Sequence, residues 1–354
     1  VSERIDAQRE SGRAMTGVLA LLRLDPPEHT TERAVLMRLL TPKRLRENEE
    51  FMWRHADTYL DEIVPRGECE FIARYSRPFT YFVIADLLGV PEEVHDLFRR
   101  RLELDARMPG DVRGAEEQPD DEPSGANPFE FLREWFASFL EDRRREPKQD
   151  VLTDIAVAKY PDGSTPPLDR ITRTATFLFL AGTETSARLL ATCLRYLAEY
   201  PELQERLRGN RDLIPGFVEE ALRIESPVKT DSRTVRRTTT LGGVELPAGT
   251  CVSIFLGAAN RDPRHFENPN EFRADRPHAQ AHLAFGRGIH SCPGGPLARA
   301  EARVTLNRML DRMRDIRLSE QHHGPDGARR FDYAPTYVLR GLETLHLEFT
   351  AVDQ

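Results

Sequence analysis

Ten residues, Phe-Gly-Arg-Gly-Ile-His-Ser-Cys-Pro-Gly from 285 to 294, constrain this chain more than any other stretch. Gly286, Gly288 and Gly294 let the backbone turn tightly and come close to a flat partner. Leu297, Ala298, Ala300, Ala302, Val304 and Leu306, set among Arg299, Glu301 and Arg303, follow in a helical pattern, so Cys292 stands just before a helix N-terminus. Partial positive charge and free N–H groups collect there and favour thiolate over thiol. A lone thiolate on such a loop is open to three uses: nucleophile, metal ligand, or axial ligand of haem iron. Against these stands the plainer case of a small buried cysteine in an ordinary turn, the commoner situation for a free cysteine taken alone.

The pattern Phe-Gly-x-Gly-x-His-x-Cys-x-Gly resembles the haem-binding loop of the cytochromes P450, the haem-thiolate monooxygenases. The resemblance implies that Cys292 is the axial ligand of the iron, that Phe285 packs near the sulfur and that His290 meets a haem propionate. Gly286 and Gly294 would belong to the same cofactor-binding loop.

A chain of 354 residues with 39% hydrophobic content is long enough for a sizeable core, and no break in composition divides it. Its net charge of -8 argues against nucleic acid as the main partner. Cys69, Cys193, Cys251 and Cys292 are far apart and form no CxxC pair, which points to neither a zinc site nor a disulfide scaffold and makes a reducing cytoplasm the default. No apolar run reaches the roughly 18 residues that span a bilayer, and the charged N-terminus lacks the apolar core of a signal peptide. The expectation is a soluble, cytoplasmic protein like the soluble bacterial members of the family, with part of the usual N-terminal region either missing or naturally short.

Taken in order, a short amphipathic segment ends near Leu24, and Asp25-Pro26-Pro27-Glu28 opens a helix on which His29 and Arg33 share a face. Alone they read as a solvated pair; the resemblance makes them two propionate ligands. Helical periodicity runs from Pro42 to Val90, and a further helix is expected from Glu92 to Leu104. Met108 to Asn127 reads as a loop, which by resemblance gates the substrate cavity. Helices are expected over 130–145 and 150–160, and the longest pattern runs from Leu168 to Glu199, broken once at Ala181-Gly182-Thr183-Glu184-Thr185-Ser186, where hydroxyls compete for backbone carbonyls. Read by residues alone the break is a kink. The resemblance makes it an oxygen-activation groove, with Ala181 and Gly182 over the haem, Thr185 hydrogen-bonding bound oxygen and Glu184 relaying protons.

Glu220 and Arg223, three apart on a helix expected over 214–225, are everyday surface chemistry in isolation. By resemblance they form a buried structural ion pair joined by Arg276. Strands with tight turns are expected from Thr238 to Leu256 and again from Thr336 to Phe349. Arg233, before the first sheet, matches another propionate-binding arginine. Phe177, Leu180 and Ala181, with Val338 and Leu339 on the later turn, are candidate walls of the substrate cavity.

The expected architecture is a single mainly α domain over 1–354 with a small β region, the cytochrome P450 fold, holding one haem b between the long helix and the Cys292 loop. The expected reaction is insertion of one atom of dioxygen into an apolar small molecule, usually as hydroxylation. The alternatives are a peroxide-using or isomerase-type haem-thiolate enzyme and a non-catalytic haem-binding protein. No flavin or nicotinamide motif accompanies the haem part, so electrons come from a separate ferredoxin- or flavodoxin-type donor with its reductase. Arg287, Arg299, Arg303, Lys43 and Arg44 are candidates for its docking patch.

Overall fold

The computed structural model describes residues 20–95, 97–98 and 128–352. Helix α1 (Glu28–Met37) carries Glu28 in its first turn, where the helix dipole favours negative charge. Thr41 caps α2 (Pro42–Ile63) by accepting from the Arg44 N–H, and Pro42 occupies a position whose N–H has no helical partner. Phe51, Met52, Ala56, Tyr59, Leu60 and Ile63 bury the inner face of α2.

The helical pattern expected to continue to Val90 is interrupted. Glu68–Glu70 forms a short strand, β1, and a wide π turn at Ile72–Ser76 leads into α3 (Arg77–Leu87). Three residues cannot display a period, and the partner of β1 lies at the far end of the chain. Only Glu92–Val94 and the helical residues just after it are described from the helix expected over 92–104. The proposed gating loop, 108–127, lies outside the described residues.

Next come α4 (Pro128–Arg145) and α5 (Val151–Ala156), the latter capped by Asp150 through the Thr153 N–H. Helix α6 (Leu168–Glu199) is the axis of the molecule: α1, α3, α4 and the later helices pack around it. It is one uninterrupted helix, against the expected break. The hydroxyls that suggested a break bond one turn back without opening it, Thr185 to the Ala181 carbonyl at 2.8 Å and Thr183 to that of Leu180 at 3.3 Å. Helices α7 (Pro201–Gly209) and α8 (Ile214–Ile224) follow.

Strand β2 (Asp231–Thr234) pairs with β5 (Cys251–Ile254), and β3 (Thr239–Leu241) with β4 (Val244–Leu246), all antiparallel. Gly242 and Gly243 make the β3–β4 turn with φ of 57° and 82°, the two left-handed positions that a twisted two-residue hairpin requires. Helix α9 (Gly295–Arg312) leads to β6 (Met313–Leu318), which with β7 (His346–Ala351) and β1 completes a three-stranded sheet of order β1-β7-β6. The strand expected over 336–349 is thus realised only at its end. Residues 333–342 form a turn held by single bridges, Val228 to Leu339 and Tyr333 to Leu342.

Candidate functional site

The Cys292 loop is closed by the Cys292 N–H donating to the Phe285 carbonyl at 2.8 Å. Gly286 and Gly288, with φ of 64° and 76°, supply left-handed turns that a side chain would resist. Helix α9 starts at Gly295 directly behind the sulfur, and the N–H groups of Gly294 and Gly295 donate toward it. The Phe285 ring lies under the Arg299 guanidinium, 4.6 Å away. Arg299 is in turn gripped by Glu219 at 2.5 and 3.0 Å, and Glu219 also meets His282 Nε2 at 3.1 Å. Burial pushes the Glu219 carboxyl up, but the hydrogen bonds from His282 and Arg299 outweigh it and hold its pKa at about 2. Glu219 thus ties α8 to the start of α9 beside the cysteine loop. Sequence reasoning passed over it, because both its partners lie more than sixty residues away.

Cys292 keeps an exposed face. Even so, the protein packed around it pushes its thiol pKa up, and the N–H groups of Gly294 and Gly295 with Arg33 and Arg299 only partly offset this. The expected thiolate bias is therefore corrected: desolvation outweighs the helix terminus.

Two distant segments, α1 and β2, bring Arg33, Arg233 and the His29 imidazole to this loop, which itself carries His290. His29 is 2% exposed on α1, and its ring centroid lies 4.4 Å from that of His290. Arg33, one turn on, donates to the Ser291 carbonyl at 2.7 Å. Arg233, on β2, donates to Asp231 at 2.6 Å and lies near enough to act on His290. Burial lowers the pKa of His29 and His290; His290 and Arg33 lower that of His29 further, and Arg233 and Arg33 that of His290, against Asp25. Among the described residues His29 Nε2 is buried without a hydrogen-bond partner.

On α6 nearly every residue from Ile171 to Ala198 is buried, and the exception at mid-helix is Leu180, Ala181, Gly182 and Thr185. Gly182 is pressed against α3: a Cβ there would lie 2.5 Å from Ile84 Cδ1. Phe177 shares the face of Ala181 and Thr185 by spacing but is 9% exposed, lining a small cavity with Leu21, Leu24 and Arg173. Glu184 is buried and paired with Arg188 at 2.7 Å, with Arg77 3.7 Å away on its other side. Val338 and Leu339 sit on the turn 333–342, where Leu339 bridges Val228, the Lys229 N–H donates to the Val338 carbonyl at 2.9 Å and the Val338 side chain is half exposed.

Glu220 accepts from Arg223 at 2.7 and 2.8 Å and from Arg276 at 2.9 and 3.0 Å, all three residues being buried. Arg223 also reaches the carbonyls of Asn260 and Pro269, so this group pins α8 to the loop before the cysteine. Of the candidate docking cations, Arg299 is held by Glu219, Arg303 by Glu49 at 2.6 Å, Lys43 by Glu47 at 3.6 Å and Arg44 by Asp154. Arg287 is exposed on the loop itself, and no ion pair holds it among the described residues.

The donor set fits haem: one soft sulfur ringed by N–H donors, a cluster of cations with a spare imidazole nitrogen for propionates, and an open stretch of helix. A family model described as cytochrome P450 matches residues 125–322. The chain belongs to the cytochrome P450 family. It is therefore an oxidoreductase, a haem-thiolate monooxygenase whose cofactor is haem b. This P450 is 32% identical over 342 residues, 96% of its length, to "Cytochrome P450 107B1" of Saccharopolyspora erythraea, of which it covers 80%. It superposes on the substrate-free CYP150A6 of Mycobacterium marinum with a TM-score of 0.88 at 52% identity, covering 99% of this chain and 81% of that one. On CYP109E1 of Bacillus megaterium, solved with corticosterone, the TM-score is 0.81 at 30% identity, with 93% and 85% covered. No described helix of this P450 is long and apolar enough to cross a membrane.

Proposed function

We propose that this P450 inserts one atom of dioxygen into an apolar small-molecule substrate, with hydroxylation as the outcome, and draws its electrons from a separate ferredoxin- or flavodoxin-type donor. The observation that carries the reading is the mid-helix opening in the burial of α6, where Leu180, Ala181 and Gly182 offer apolar surface beside one hydroxyl, Thr185. Haem, held through Cys292, would supply the iron chemistry that activates dioxygen.

The chain's own residues do the rest. Cys292 would hold the haem iron through its sulfur; His29, Arg33, His290 and Arg233 would hold the propionates; Phe285, Gly286 and Gly294 would shape the cradle. The Thr185 hydroxyl, now donating to the Ala181 carbonyl, keeps its lone pairs free to accept a hydrogen bond or hold a water. Glu184, its neighbour, carries protons to it. Val338 is half exposed on the turn between β6 and β7, and in this reading it forms the cavity wall with Leu180 and Phe177. An apolar substrate is in keeping with the corticosterone bound by CYP109E1.

The test is reconstitution of the haem-loaded protein with a ferredoxin, its reductase and a panel of apolar compounds selected by their spin-state shift. One labelled oxygen from ¹⁸O₂ in a product that needs the donor supports the reading. Product formed with peroxide alone, and none with donor and dioxygen, overturns it in favour of a peroxide-using enzyme.

A further inference from the structure

Arg188 is 8% exposed, and among the described residues its Nε and Nη1 have no hydrogen-bond partner; its one strong contact is Nη2 to Glu184 Oε1 at 2.7 Å. An arginine cannot shed its charge to relieve burial. Its place is therefore set by Glu184 on one side and by shape on the other. The shape is Gly341. A Cβ at that position would lie 2.5 Å from Arg188 Cγ, 2.7 Å from Nη1 and 2.8 Å from Cδ. Two of these atoms are on the stem and one at the tip, so the guanidinium could not evade a side chain there by swinging its end; the whole rotamer would have to change.

Gly341 is not loosely placed. The Ala334 N–H donates to its carbonyl at 3.0 Å, Arg340 N–H donates to the Pro227 carbonyl at 2.9 Å, and Leu342 bridges Tyr333. The turn 334–342 is thus a firm surface against which Arg188 lies. On the other side of Glu184, Arg77 at 3.7 Å is about one-third exposed and cannot hold the carboxylate as closely.

We infer that Gly341 and Arg188 are positioning residues for Glu184: the C-terminal turn 334–342, through the space that Gly341 leaves, fixes Arg188, and Arg188 fixes the carboxylate next to Thr185. The inference rests on the monooxygenase reading for its consequence, since it makes proton delivery through Glu184 depend on a residue 157 positions away by sequence number. The contact itself does not depend on that reading.

Two measurements on the haem-loaded protein test it. Gly341→Ala is placed in the wild type and in a Glu184→Gln/Arg188→Ala background, which removes both the colliding stem and the buried charge. The melting temperature falls by roughly 5 °C or more in the first and by about 1 °C or less in the second; equal falls overturn the inference, because Gly341 would then matter for its own backbone only. In turnover, Gly341→Ala and Glu184→Gln change the solvent isotope effect on product formation in the same direction, while Glu343→Ala, exposed in the same segment, leaves it at the wild-type value. A wild-type isotope effect in Gly341→Ala or in Glu184→Gln overturns the positioning role. If the wild type makes no oxygen-dependent product, the monooxygenase reading fails while the melting experiment still judges the contact.

Discussion

Glu301, nine residues after the cysteine on α9, is fully buried, and neither carboxylate oxygen has a hydrogen-bond partner among the described residues. Burial pushes its pKa from 4.5 up to about 8, eased only by the nearby Ser186 hydroxyl. Below pH 4.5 it is protonated both folded and unfolded. As pH rises from there toward 8, the unfolded chain ionises while the folded one keeps its proton, so folding loses about 1.4 kcal/mol per pH unit. Across the interval from 4.5 to 8 the loss reaches about 5 kcal/mol and then levels off. Glu301→Gln keeps the shape and removes the titration. Urea midpoints of the haem-loaded wild type and variant, taken from pH 5 to 9, isolate this group because all other titrations cancel in the difference. The variant gains on the wild type as pH rises, by several kcal/mol between the two ends. A difference independent of pH refutes the reasoning and means that Glu301 is charged and paired.

Glu220→Gln leaves the buried guanidinium of Arg223 without its counter-charge and lowers stability by about 3–5 kcal/mol; a urea midpoint loss equivalent to under 1 kcal/mol contradicts a buried network. Gly182→Ala costs about 1–3 kcal/mol through the clash with Ile84 Cδ1, and Ile84→Val, which removes that atom, recovers much of it; no recovery means the glycine serves another purpose. His29→Leu, filling the same buried space without the spare nitrogen, raises the rate of haem loss to apomyoglobin about tenfold, the loss of one charge-assisted hydrogen bond; an unchanged rate removes His29 from the propionate set.

The Cys292 loop, the helix face of His29 and Arg33, and the span of α6 were legible because each is a local pattern: a ten-residue string, a four-residue spacing, a period. The fold class followed from the resemblance that those strings, in their order, bear to the cytochromes P450. What stayed hidden depends on partners far along the chain. Strand β1 has three residues and exists only because β7 pairs with it. Arg299, Arg303 and Arg44 look like free cations in sequence, yet Glu219, Glu49 and Asp154 reach them from other helices. The contact of Arg188 with Gly341 has no local signature at all. The expected opening of α6 failed for a different reason: Thr183 and Thr185 bond to carbonyls within the helix, which satisfies the hydroxyls without displacing a backbone bond. The thiolate expectation weighed the helix terminus and could not weigh the packing that desolvates Cys292.

The central claim, that Cys292 is the axial thiolate of this P450, is tested most directly by the carbon monoxide difference spectrum of the reduced protein, wild type beside Cys292→Ser. The account predicts a strongly red-shifted Soret band in the wild type that disappears in the variant. A wild type that binds haem but shows the unshifted band of a neutral ligand, or a variant that keeps the red-shifted band, contradicts it.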